Sequence, residues 1–241
     1  MRWLKDRINA YVQRTVANAL AHATPKPEPK AFEPALDILV NKYGYGRTLE
    51  LKLPVAVDGK PVPWYTYPAL EYFEQLDARG LRIFEFGCGN SSLFWANKGA
   101  KVTAVEHDSA WFEKMLHRSS RLEKLILREE VTEYAGAISE IGGEFDVIII
   151  DGVWRNQCAR AALPHLSAGG CIVLDNSDWY TDVAEFFRGE GFLQVDFSGF
   201  GPINIYCWTT SLLVRSDSIL NGRLNHPRPV GGIEACRGSN W

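Results

Sequence analysis

The segment that decides the fold is Arg82–Trp95, R-I-F-E-F-G-C-G-N-S-S-L-F-W. Its first five residues read as a buried strand, two glycines follow, and Ser91 and Ser92 lead into an apolar helix start. Glycine lets the backbone approach a ligand closely and tolerates the positive φ that such turns need. A bare G-x-G does not discriminate among nucleotide-like ligands. The third glycine of a dinucleotide fingerprint is absent, with Ser92 in its place. Glu85 narrows the choice, because it is an acid two residues before Gly87 in an otherwise apolar strand. An acid there disfavours a pyrophosphate and suits a cationic ligand or one offering hydroxyl and amino donors.

Outward from this turn, strand and helix patterns alternate. Strands are expected at 82–86, 101–106, 124–128, 146–151, 170–175, 192–197 and 204–214, and helices near 91–98, 109–120, 131–140, 156–166 and 179–189. Another helix is expected from Pro68 to a glycine stop at Gly80. Several strands are continuous apolar runs, as in a sheet covered on both faces. The pattern specifies an α/β fold with a doubly wound, mostly parallel seven-stranded sheet and helices on both faces. The short connection S-G-F-G-P-I cannot hold a parallel crossover, so the last strand is expected to run antiparallel.

The chain has 241 residues, 46% hydrophobic, enough for one α/β domain with extensions. A net charge of −3 gives no global basic field, and no nucleic-acid partner is expected. Five cysteines, Cys88, Cys158, Cys171, Cys207 and Cys236, include no C-x-x-C pair and read as free thiols in a reducing compartment. No apolar run reaches the ~20 residues of a membrane span. A cytoplasmic protein is expected, with one qualification from its start. Residues 1–22 form an amphipathic helical pattern, with Leu4, Ile8, Tyr11, Val12, Thr15, Val16 and Ala19 on one stripe, before the proline-rich linker 23–30. This N-terminal helical arm is a candidate for packing on its own domain, on a partner subunit or on a membrane surface. The expected organisation is therefore the arm and linker at 1–30, a substrate-side cap at 31–80, the ligand-binding domain at 81–215 and an irregular tail at 216–241.

The segment E-F-G-C-G-N-S-S, with E-H-D closing the second strand, resembles the cofactor loop and ribose acid of class I S-adenosylmethionine (SAM) methyltransferases. The antiparallel end of the sheet is also a mark of that fold. The resemblance implies that Gly87, Cys88 and Gly89, with Asn90 and Ser91, line the methionine and ribose part of the cofactor. Glu85 would lie near its amino group and Glu106 would hold the ribose, with His107 beside it. Asp108 is expected to cap the next helix, and Glu129 or Glu130 is a candidate for adenine contact.

A second constellation lies at the ends of the fourth and fifth strands, F-D-V-I-I-I-D-G and C-I-V-L-D-N-S-D. Asp151, Asp175 and Asn176 could there hold Mg2+ or another divalent cation. This resembles metal-dependent O-methyltransferases, although those offer a lysine base where this chain has Trp154 and Arg155. The alternative is that Asp175–Asp178 simply turns and caps the chain. Asp151 is expected to be catalytic as base or ligand and to lie beside the cofactor. Arg155 is expected to hold an anionic or polyhydroxyl substrate. Trp64, Tyr65, Tyr67, Asp178, Trp179, Tyr180 and Phe200 are the expected substrate wall, suited to a small-molecule or glycan-like hydroxyl acceptor. Two other readings remain open on these residues: an NAD(P)-dependent oxidoreductase, and a non-catalytic SAM-binding scaffold.

Overall fold

A computed structural model of the chain describes residues 29–227 and 229–232, together with Arg14 and Ala17. The expected N-terminal helix lies outside the described residues except at those two positions. Seven strands form one sheet: β1 (Arg82–Phe86), β2 (Lys101–Glu106), β3 (Lys124–Leu127), β4 (Phe145–Ile150), β5 (Leu166–Leu174), β6 (Leu193–Gly199) and β7 (Trp208–Val214). Their order is β3-β2-β1-β4-β5-β7-β6. Strands β1 to β5 pair in parallel, whereas β7 is antiparallel to both β5 and β6. The architecture expected from the alternating pattern is therefore the one observed.

Eight α-helices accompany the sheet among the described residues: α1 (Glu33–Asp37), α2 (Tyr45–Leu51), α3 (Tyr67–Glu74), α4 (Asn90–Asn97), α5 (Ser109–Leu116), α6 (Val131–Ile141), α7 (Arg155–Ala162) and α8 (Thr181–Gly189). Alternate strand residues feed two cores. Phe84, Phe86, Ile148, Ile150, Ile172 and Leu174 pack with Tyr134, Cys158 and Phe187 from α6, α7 and α8. Ile83, Val102, Val147, Ile149, Cys171 and Val173 pack on the other face with Leu70, Phe73 and Trp95 from α3 and α4. This two-residue period has a consequence for chemistry. Glu85, Glu106, Asp151 and Asp175 continue the second set, so four acids project from one sheet face at its carboxyl edge.

Several boundaries differ from the sequence expectation, among them the start of β5 at Leu166 and not 170 and the end of α5 at Leu116 and not 120. Helix α3 stops at Glu74 and not at Gly80. Its continuation is taken by the C-terminal segment, where Leu76 bridges Leu224 and Asp77 N–H donates to the Arg223 carbonyl at 2.9 Å. Helix α7 ends at Ala162 because Pro164 has no N–H to extend it, and a 3-10 turn follows at Leu163–His165. Strand β7 begins at Trp208, since Pro202 and the left-handed Ile203 (φ 69°) hold the preceding residues in a loop.

Candidate active site

The carboxyl edge of the sheet opens into a cavity of about 670 Å³ lined by the glycine loop, the four acids and an aromatic rim. The β1–α4 turn supplies its floor. Gly87 has φ 98°, and a Cβ there would lie 3.2 Å from the Gly152 backbone, so the fold itself demands glycine. Gly89 is different. Its φ is extended, and an added Cβ would meet only Ser91 Oγ at 4.0 Å, which leaves open space facing the cavity.

Glu85 is buried, 1% exposed, and accepts from the Ser91 and Ser92 hydroxyls, one to each carboxyl oxygen. Ser92 Oγ in turn accepts from Gly89 N–H at 3.2 Å. The two serines thus couple the acid to the loop, which explains why serine follows the second glycine. Burial pushes the Glu85 carboxyl up to about 8; the serine bonds oppose this, and the charges of Asp151 and Glu106 reinforce it. Glu106 receives Cys88 N–H at 3.2 Å on Oε2, and the N–H groups of His107 and Asp108 at 2.8 and 2.9 Å on Oε1. His107 Nδ1 also lies 2.9 Å from Oε1. These bonds fix the carboxylate at the mouth of the loop. Asn90 donates Nδ2 to the Pro54 carbonyl at 2.5 Å, while its buried Oδ1 has no partner among the described residues. Asp108 caps α5 by accepting from Trp111 N–H at 2.8 Å, as expected.

The β4 and β5 ends are joined by one side chain. Arg155, 7% exposed at the start of α7, donates Nε to the Gly152 carbonyl at 2.9 Å and Nη1 to the Asp175 carbonyl. Its Nη2 meets both the Asp151 carbonyl and Oδ1 at 3.3 Å, and the Tyr180 ring lies 4.5 Å from the guanidinium carbon. Burial pushes Asp151 up to about 6, with Arg155 pulling it down. Asp175 is pushed well above the usual carboxylate range, by burial first and then by Asp151. The hydroxyl of Thr210 and Nε1 of Trp208 both donate to Asp175 Oδ1, at 2.5 and 3.0 Å.

Several expectations are corrected by this geometry. Arg155 does not project toward a substrate, because its donors are consumed by the carbonyls and Asp151. The Asp151, Asp175 and Asn176 set does not fit a divalent cation. The Arg155 guanidinium stands 3.3 Å from Asp151 Oδ1, where it would repel a cation, and Trp208 and Thr210 both occupy Asp175 Oδ1. Trp64 and Trp179 line the cavity, 44% and 59% exposed. The remaining members of the expected substrate wall lie elsewhere. Tyr65 is fully buried in the core, and Tyr67 stacks on Tyr43 with 4.3 Å between ring centroids. Asp178 accepts from Thr209 N–H at 3.0 Å, Tyr180 supports Arg155, and Phe200 does not line the cavity. Glu129 and Glu130 are exposed and away from it.

Lining residues that sequence reasoning missed include Lys52, Pro54, Trp111, Asn204, Tyr206 and Trp208. Tyr206 and Trp208 fall inside the strand expected at 204–214, yet both line the cavity. No local signal distinguishes Lys52 or Pro54, which reach the cavity only through the packing of 31–66 against the loop.

Neither a protein-family model nor a curated protein matches the sequence. Solved structures do match by fold. A precorrin-6y C5,15-methyltransferase from Geobacter metallireducens has a TM-score of 0.52 at 15% identity, over 69% of this chain and 95% of that one. A methyltransferase from Pyrococcus furiosus (21% identity, TM-score 0.45) is matched over 76% of this chain and 98% of that one. An rRNA methylase from Streptococcus thermophilus (17% identity, TM-score 0.45) is matched over 62% and 96%. With its 3-2-1-4-5-7-6 strand order and single antiparallel strand, the chain has the fold of the class I SAM-dependent methyltransferases.

Proposed function

We propose that the protein is a SAM-dependent methyltransferase acting on a hydroxyl of a small, ring-bearing acceptor such as a saccharide. The observation that carries the cofactor reading is a buried acid beside a buried unpartnered acceptor at the glycine loop. Glu85 is a buried acid whose partners are two serine hydroxyls, and Asn90 Oδ1 is a buried acceptor with no partner among the described residues. Both suit a ligand that brings an ammonium and other N–H donors. Glu106, held by three backbone N–H groups and His107, presents the remaining lone pair of Oε2 for a ribose hydroxyl. Gly89 leaves room for the ligand backbone.

SAM would supply a methyl group on a sulfonium, so the leaving group departs neutral. The protein's part is then mostly positioning. Asp151 stands at the β4 end, with Oδ1 turned toward Arg155 and a proton affinity near neutrality. That affinity suits it to take the acceptor hydroxyl proton as the new C–O bond forms. Arg155 keeps the carboxylate at that place, and Trp64 and Trp179 shield the cavity and offer stacking surface.

Calorimetric titration of the full chain with SAM, S-adenosylhomocysteine (SAH) and NAD tests the cofactor assignment. Binding of the first two in the micromolar range with no NAD binding is expected; tight NAD binding alone would overturn it. With an acceptor in hand, Asp151→Asn should lower kcat by about 10²–10⁴-fold. Full turnover in that variant would remove Asp151 from proton transfer.

A further inference from the structure

The acceptor end of the cavity has a charge pattern that restricts what can enter it, an inference that rests on the methyltransferase reading above. Three cationic or basic side chains line the cavity, and two of them are already committed. Arg155 spends its donors on three carbonyls and the Asp151 carboxylate, with the Tyr180 ring packed against the guanidinium. His107 is held by Glu106 at 2.9 Å. Lys52 remains; it is exposed just beyond α2, two residues before Pro54, whose carbonyl binds the Asn90 amide of the cofactor loop. Its backbone thus lies near the Asn90 end of the cavity.

The acceptor side has the opposite character. Asp151 and Asp175 stand side by side at the β4 and β5 ends, and both donors to Asp175 reach Oδ1, leaving Oδ2 without a protein partner among the described residues. Glu85 from β1 lines the same cavity, and among the described residues the one cation beside the pair is Arg155, already committed to Asp151 and the carbonyls. An anion placed here would give up its hydration beside a guanidinium whose donors are already committed, a several-fold to many-fold penalty on affinity. The rim, by contrast, offers flat π-surface. The Trp179 and Tyr206 rings lie 6.1 Å apart at 34°, both exposed, and Trp64 lines the same cavity. Asn176 and Asn204 add side-chain amides with no protein partner among the described residues.

We propose that the acceptor docks through a ring that is uncharged or cationic, stacked on Trp179 and Tyr206 with its polar substituents met by Asn176 and Asn204, and that anionic acceptors are rejected. Neutral sugars, phenols and aromatic amines fit this description. Carboxylates, phosphate esters and nucleic acids do not.

The test is methyl transfer from radiolabelled SAM by the full chain to matched acceptors. One set is phenol, tyramine and 4-hydroxyphenylacetate; another is phenyl glucoside, phenyl glucosaminide and phenyl glucuronide; a short single-stranded RNA is added as a polyanion. At least one neutral or cationic member should be methylated ten-fold or more faster than its carboxylate twin. Equal or faster methylation of the carboxylate member or of the RNA would overturn the proposal, as would no methylation of any neutral or cationic member. Trp179→Ala, an exposed position that folding tolerates, should raise KM for the favoured acceptor at least five-fold with SAH affinity unchanged. An unchanged KM would remove the stacking surface. SAH titration on the same samples separates the two readings: loss of SAH binding would sink the methyltransferase assignment, whereas SAH binding with good anionic acceptors would sink only the acceptor class.

Discussion

Glu85 is the residue whose environment says most about the ligand. A carboxyl pushed up to about 8 by burial is mostly protonated at pH 7 in the free protein. An ammonium placed against it would favour the charged form, so SAH binding at pH 7 should release close to one proton and tighten as pH rises toward 8. Calorimetry in buffers of different ionisation enthalpy measures that proton, and Glu85→Gln should abolish it while weakening binding at least ten-fold. The same shift has a sign for stability. The folded state holds its proton up to about pH 8 and the unfolded chain releases it near 4.5, so stability falls by about 1.4 kcal/mol per pH unit between those values. Asp151 behaves alike over a narrower window, from its ordinary range to about 6. Arg155 is the group that keeps this window narrow. Replacing it by Met should cost about 3 kcal/mol or more in urea unfolding, because three carbonyls and a buried carboxylate lose their donor. It should also extend the pH-dependent loss of stability above 6.

Between elements, the tightest approach is where α6 meets the end of β4. A Cβ at Gly152 would lie 2.0 Å from Tyr134 Oη, and that hydroxyl is buried with no hydrogen-bond partner among the described residues. Tyr134→Phe should therefore leave stability unchanged or raise it by up to about 1 kcal/mol. Gly152→Ala should cost about 2 kcal/mol or more, and adding Tyr134→Phe should recover part of that loss in a double-mutant cycle. Additive costs would show that the backbone, not the hydroxyl, is what an alanine meets. Element identity was legible because strand runs such as D-V-I-I-I and C-I-V-L pack on two cores at a period of two. Element ends were less so. The end of α3 at Glu74 is set by a partner strand segment roughly 150 residues away in sequence, through Leu76 and Leu224, and no local pattern carries that information.

For the molecule as a whole, binding at the sheet edge should be read out as stability. SAH at 100 times its Kd should stabilise the fold by about 2.7 kcal/mol and raise Tm accordingly, while NAD at the same concentration should leave Tm unchanged. No helix among the described residues is long and apolar enough to cross a membrane. The alternation of strands and helices, the glycine turn and the acids at strand ends were all fixed by local residue order, because period, glycine placement and strand parity are one-dimensional properties. Parity alone puts Glu85, Glu106, Asp151 and Asp175 on one face. Which of these acids would be tied up, and by what, was decided only by folding. Arg155 looked like a substrate arginine until the β4 and β5 carbonyls closed around it, and Asp175 looked like a metal ligand until Trp208 and Thr210 arrived from β7. A side chain's chemistry depends on what satisfies it, and the partners here come from elements distant in the chain. For R-I-F-E-F-G-C-G-N-S-S, its own order gave the loop; the buried serine-bound glutamate and the unpartnered Asn90 oxygen, visible only after packing, gave its ligand chemistry.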